Sequence, residues 1–147
     1  MIVQAIVSFI AVICFSLVLG VPKKFLILAG LTGSIGWLVF LIFSKLGIST
    51  IMSSLASAFV VAIISAILSK LLKSIANIFF IPGILPIVPG VAVYRAVYYT
   101  LLNNWEMTRK YFYETILIGG AIALSIFIVE SIRKIKISKI RLKKQSE

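Results

Sequence analysis

The sequence predicts an all-α integral membrane protein with five transmembrane helices, the fourth broken by a proline- and glycine-rich unwound stretch. Three observations carry this. Of 147 residues, 61% are hydrophobic and only 13% charged, with a mean hydropathy of +1.17, whereas soluble domains are roughly 45–50% apolar. The apolar residues gather into five runs, each about long enough to cross a ~30 Å hydrocarbon core at ~1.5 Å per residue. One of those runs contains "IPGILPIVPGVAVYR" at 81–95, with three prolines, two glycines and an arginine.

The first span covers about 2–20 and ends at "GVPKK". No basic residue precedes it, and no Ala-x-Ala-like site stands before Val21 and Pro22, so it reads as a retained span rather than a cleaved signal. The second, about 25–44, carries Gly30, Gly33, Ser34 and Gly36. The third, about 50–69, carries Ser53/Ser57 and Ala58/Ala62/Ala66 at i, i+4 spacing. Small faces of this kind let neighbouring backbones approach closely in lipid, although lining a pathway is the alternative. "GLTGSIG" lacks the preceding strand and following Lys-Ser/Thr of a phosphate loop. The fourth span runs over about 75–102 and the fifth over about 112–132, leaving residues 133–147 as a basic cytoplasmic tail.

Basic residues orient the spans. With the tail cytoplasmic and five crossings, the inner segments hold Lys23, Lys24, Lys70, Lys73 and the seven Lys and Arg of 133–147, whereas the outer ones hold only Lys45, Arg109 and Lys110. This bias places the N-terminus outside and the C-terminus inside; four spans would put two of these loops on the wrong side. The net charge of +11 therefore reflects orientation and contact with anionic membrane lipids. No water-facing basic surface for nucleic acid is expected. One cysteine, no histidine and four acids argue against a metal site and against nucleophile–histidine catalysis. No nucleotide-binding motif is present, and neither an enzyme nor a cofactor is expected.

The chemistry concentrates in the fourth span. Pro82, Pro86 and Pro89 each remove a backbone donor and push the preceding residue toward extended geometry. The expected form is a short helical half, an unwound stretch near 82–90, and a second half from about 90 to 102. Unwound backbone at membrane depth survives only where protein or a wet cavity surrounds it, and broken helices recur at transporter substrate sites. A helix starting near Gly90 would offer free amides to a carboxylate. Arg95 would reach back toward that anion; snorkelling or an ion pair with a partner subunit is the competing role. Tyr94 and Tyr98 share a face at i, i+4. For Tyr98 and Tyr99 an interfacial aromatic belt is the alternative. Glu114, just inside the fifth span, is the candidate for proton coupling, or else an interfacial carboxylate; Glu130, beside Arg133 and Lys134, reads as a surface ion pair.

"VPKKFLILAGLTGSIGW" followed by "IPGILPIVPGVAVYRAVYYTLL" resembles the threonine/serine exporter family, and more narrowly its small five-span members that correspond to the C-terminal half. The match rests on Pro89, Gly90 and Tyr94 and on Val21, Pro22 and Gly33 to Gly36, and it extends over nearly the whole chain. The resemblance implies export of small carboxylates, either threonine and serine or a dicarboxylate such as succinate, across the bacterial cytoplasmic membrane. It also implies a second membrane subunit supplying the other half of the transporter. The residues implicated in substrate binding are then Pro89, Gly90, Tyr94, Arg95 and Tyr98. The rival function is a non-transporting scaffold that stabilises another membrane protein.

Overall fold

A computed structural model describes residues 2–145, with side chains described through position 134. All regular structure among them is helical: α1 (Ile2–Val18), α2 (Leu26–Lys45), α3 (Thr50–Leu71), α4 (Asn77–Ile84), α5 (Gly90–Leu101) and α6 (Trp105–Gln145), with 3-10 turns at Lys23–Phe25 and Leu85–Ile87. The helices α2, with the turn before it, and α3, together with the Trp105–Lys134 part of α6, are long and apolar enough to cross a membrane. Helices α4 and α5 pass the same test jointly, bent by 47° at their break, as a broken span or a re-entrant loop would be. Helix α1 is apolar but shorter; its 17 residues extend about 25 Å. The backbone of the basic segment continues α6 to Gln145, while the expected basic side chains beyond Lys134 lie outside the described residues.

Loops are short because the helices stop abruptly. Val21 N–H donates to Ser16 O and Gly20 N–H to Leu17 O around Gly20 at φ +72, a Schellman close of α1. The same pair of bonds closes α2 around Gly47 at φ +76. Lys73 ends α3 and Asn103 ends α5 in the same left-handed geometry, at φ 48 and 54, where a Cβ is disfavoured. Helices α3 and α6 open on polar caps: Ser49 accepts from Met52 N–H, and Asn104 Oδ1 accepts from Met107 N–H.

The proline run is more helical than its composition suggests. Instead of unwinding from 82, the chain stays α-helical to Ile84 and 3-10 helical to Ile87, leaving only Val88 and Pro89 outside regular helix. Only a little over one turn of α4 precedes Pro82, so its missing N–H forfeits a single ladder bond. Pro86 is the second residue of the 3-10 turn and Pro89 occupies the N-cap of α5, positions where no donor is required.

Packing follows the small residues. A Cβ on Gly33 would lie 2.5 Å from Val12 Cγ2, and one on Gly36 would lie 2.4 Å from Val61 Cγ2. The glycines of α2 thus serve close approach to α1 on one side and α3 on the other. Serines fasten these contacts: Ser34 to Ala5 O at 3.0 Å, Ser125 to Leu55 O at 3.1 Å, and Ser57 to Gly36 O. Across helices in lipid such bonds are worth about 0.6 kcal/mol each on average. The core of Ala58, Val61, Ala62, Phe80, Ile84 and Ile87 is flanked by Ile122, Ile126 and Val129 of α6. A second cluster joins Phe25, Ala29 and Phe79. The outer surface is apolar, with Ile6, Ile10, Phe15, Ile27 and Phe127 all exposed, as hydrocarbon contact requires.

Candidate functional site

At the break between α4 and α5, Val88 is extended (φ −56, ψ 133) and Pro89 has φ −75, ψ 51. Gly90 N–H donates to Val88 O at 2.7 Å, forming an inverse γ-turn about Pro89. The first ladder bond of α5 is Val93 N–H to Pro89 O, and no side chain caps the helix. The amides left without a helical acceptor are therefore those of Val91 and Ala92, and they carry the positive end of the α5 dipole.

These residues line a cleft of about 240 Å³ that also takes in Trp37 and Phe40 of α2, Thr50 and Ser54 of α3, Arg95, and Tyr111 and Glu114 of α6. Four helices and the break thus meet at one point. Pro89, Gly90, Arg95 and Glu114, separated by up to 25 positions in sequence, line the same cleft. Tyr94 and Tyr98 do not border it: they stack on each other at 6.1 Å on the exposed face of α5. Trp37, Phe40, Thr50, Ser54 and Tyr111 are cleft residues that the sequence did not single out. Trp37 closes the quoted "GLTGSIGW" run and Tyr111 adjoins the fifth span, but neither spacing points to the break.

The electrostatics are those of opposed, separated charges. The Arg95 guanidinium lies over the Tyr111 ring at 5.4 Å and donates to Tyr111 Oη at 3.4 Å, a long and hence weak bond. Tyr111 is held in turn by stacking on Tyr99, with centroids 5.6 Å apart and planes 5° from parallel. Among the described residues the single ion pair is Arg133 Nη1 to Glu130 Oε1, at 3.5 Å. Arg95 and Glu114 therefore share the cleft without bridging each other. Such a site can take an anionic group at Arg95 and the α5 amides, and a cationic group at Glu114.

A family model described as "Threonine/Serine exporter, ThrE" matches residues 4–132, which includes every residue of this cleft. Comparison with curated proteins gives no match. Comparison with solved structures also gives none.

Proposed function

We propose, from the premise that this chain belongs to the threonine/serine exporter family, that it is one membrane subunit of a split secondary exporter. The chain is a multi-pass membrane protein of an export family, and this proposal adds the division of labour. α1, α2, α3, the bent α4–α5 pair and α6 make five crossings, with the N-terminus outside and the C-terminus cytoplasmic, as in a bacterial inner membrane. A second membrane subunit supplies the other half. The observation that carries the reading is the cleft where the α5 amides and Arg95 face Glu114.

An arginine within a span costs roughly 2.5–3.5 kcal/mol on insertion scales, so Arg95 calls for a partner or a wet cavity. Its side chain is exposed, and Tyr94 and Tyr98 are exposed beside it. A second subunit docking on this face of α5 would close the cleft and bring both tyrosines to the substrate. At about 240 Å³ the cleft falls just short of ligand pockets of roughly 300–1,000 Å³, consistent with a site completed by another chain. The two charge signs suit a zwitterion such as threonine or serine better than a dicarboxylate such as succinate, whose second carboxylate would meet Glu114. Glu114 is also the carboxylate placed to couple proton movement to export.

The test is flux of labelled threonine, serine and succinate in everted vesicles carrying this chain with its candidate second subunit. Expected are accumulation of the two amino acids and at least tenfold loss of it in Arg95→Ala, with co-purification of the subunits unchanged. Flux equal to that of empty vesicles would remove the transporter reading. Loss of assembly, in place of flux, in Arg95→Ala would favour a scaffold.

A further inference from the structure

A second cavity, of about 340 Å³, lies between α3, the start of α4 and α6, and it contains Ser65, Asn77, Glu130 and Lys134. We infer that it is a separate binding site for a zwitterionic α-amino acid on the cytoplasmic side, an inference that rests on the transport function proposed above. Two independent observations point to a ligand. Ser65 is only 1% exposed, lines the cavity, and its hydroxyl has no hydrogen-bond partner. Buried hydroxyls are normally satisfied. Its neighbours in the small-residue series show the norm: Ser57 donates to Gly36 O, and Ser53 to Ser49 O.

The second observation is the charge arrangement. Glu130 and Lys134, one turn apart on α6, both border the cavity, with Asn77 opposite at the first turn of α4. An ammonium would be received by Glu130, and a carboxylate by Lys134 and the Asn77 amide. The Ser65 Oγ itself has under 1 Å² of accessible surface, so a turn of its side chain toward the ligand would give it the partner it lacks. Glu130 also pairs with Arg133, but both side chains are 39% exposed, and surface pairs of that kind are weak enough to yield to a ligand.

The site is distinct from the cleft at the break. Glu114 and Glu130 are sixteen positions apart on one continuous helix, about 24 Å along its axis. Val61, Ile84 and Ile122 of the core line neither cavity and fall, along their helices, between the residues that line one and those that line the other. Each cavity presents one α6 carboxylate, one cation and the start of one half of the broken pair. The inner one would load from the cytoplasm before substrate passes the apolar barrier.

The test places a reporter thiol in the cavity wall, Ala66→Cys in a Cys14→Ala background, in the same two-subunit vesicles. Expected is modification by a membrane-impermeant maleimide from the cytoplasmic face, slowed at least fivefold by threonine or serine and not by succinate. Glu130→Gln should abolish the slowing, and Ser65→Ala should weaken it without lowering thermal stability, since that hydroxyl makes no hydrogen bond within the protein. Equilibrium binding of labelled threonine to the purified complex, reduced by one site in Glu130→Gln, gives the same answer if the reagent does not reach the thiol. Transport of threonine with no protection and no Glu130-dependent binding would overturn the inner site and leave the transport reading standing. Equal protection by succinate would overturn its zwitterion selectivity. Protection without flux would uphold the site and overturn the transporter.

Discussion

Gly36→Ala should destabilise the helical bundle even though alanine is the better helix former. The added methyl would lie 2.4 Å from Val61 Cγ2 and 3.5 Å from Ile87 Cδ1. Val61 is fully buried, so relief requires a shift of about 1 Å between α2 and α3, because ordinary carbon contacts begin near 3.5 Å. Overpacking of this kind costs about 1–3 kcal/mol, and separating the helices would also stretch the bond from Ser57 to Gly36 O. Against this stands a propensity gain of about 0.8–1.0 kcal/mol, leaving a net loss of about 0–2 kcal/mol against the parent and of about 1–3 kcal/mol against an alanine placed where nothing opposes it. Gly119→Ala and Gly120→Ala provide the control, since nothing lies within 4 Å of a Cβ at either position; both should match or exceed the parent. Thermal unfolding in a mild detergent reads the difference, and adding Val61→Ala should recover part of the loss through coupling between touching sites. A Gly36→Ala protein as stable as Gly119→Ala would refute close packing as the reason for glycine in α2.

Three further outcomes are expected. Lys73→Gly should stabilise by about 0.5–1 kcal/mol in the same unfolding assay, because Lys73 holds φ 48 at the end of α3, a conformation that costs a Cβ-bearing residue roughly 1–2 kcal/mol. Glu114→Gln should abolish threonine accumulation driven by a proton gradient and weaken threonine–threonine exchange as well, because the same carboxylate would hold the ammonium; unchanged gradient-driven uptake would remove Glu114 from coupling. Pro89→Ala should lower flux severalfold with little change in stability. Its restored amide could extend α5 backward across Val88 and Pro89, and helicity measured by circular dichroism would rise slightly if it does.

Much of this architecture is legible in the chain, because length and hydropathy alone delimit a spanning helix. The runs read at 25–44 and 50–69 fall almost on α2 and α3, and the glycines between 30 and 36 are explained by the methyls facing them. The proline run was harder, because the penalty for proline depends on how much helix precedes it. Pro82 has too little before it to break α4, whereas Pro89 needs no donor where it stands. Contacts between helices leave still less trace. The i, i+4 pairing of Tyr94 and Tyr98 is visible, and they do stack, but which way that face turns is decided by how α5 lies against α6. Likewise, nothing in spacing separates Ser65, without a partner, from Ser57, bonded to α2.

The α5 side of the cleft at the break is polarised in a way that an anion would relieve. The start of α5 is the positive end of its dipole, and Arg95, six residues into the helix, has a side chain that leans toward that same end. Two like-signed features therefore face one space, and the contact Arg95 makes there is a long one to a tyrosine hydroxyl. A dipole end costs a nearby cation some 0.3–1 kcal/mol and favours an anion by a similar amount. A carboxylate arriving at Val91 and Ala92 would thus satisfy the amides and neutralise Arg95 together. Glu114, left unbridged across the cleft, would hold the ammonium of the same molecule, and releasing that ammonium would require the carboxylate to find another cation, which a proton supplies. Substrate and proton would then compete for one side chain, which is the minimal requirement for coupling one flux to the other.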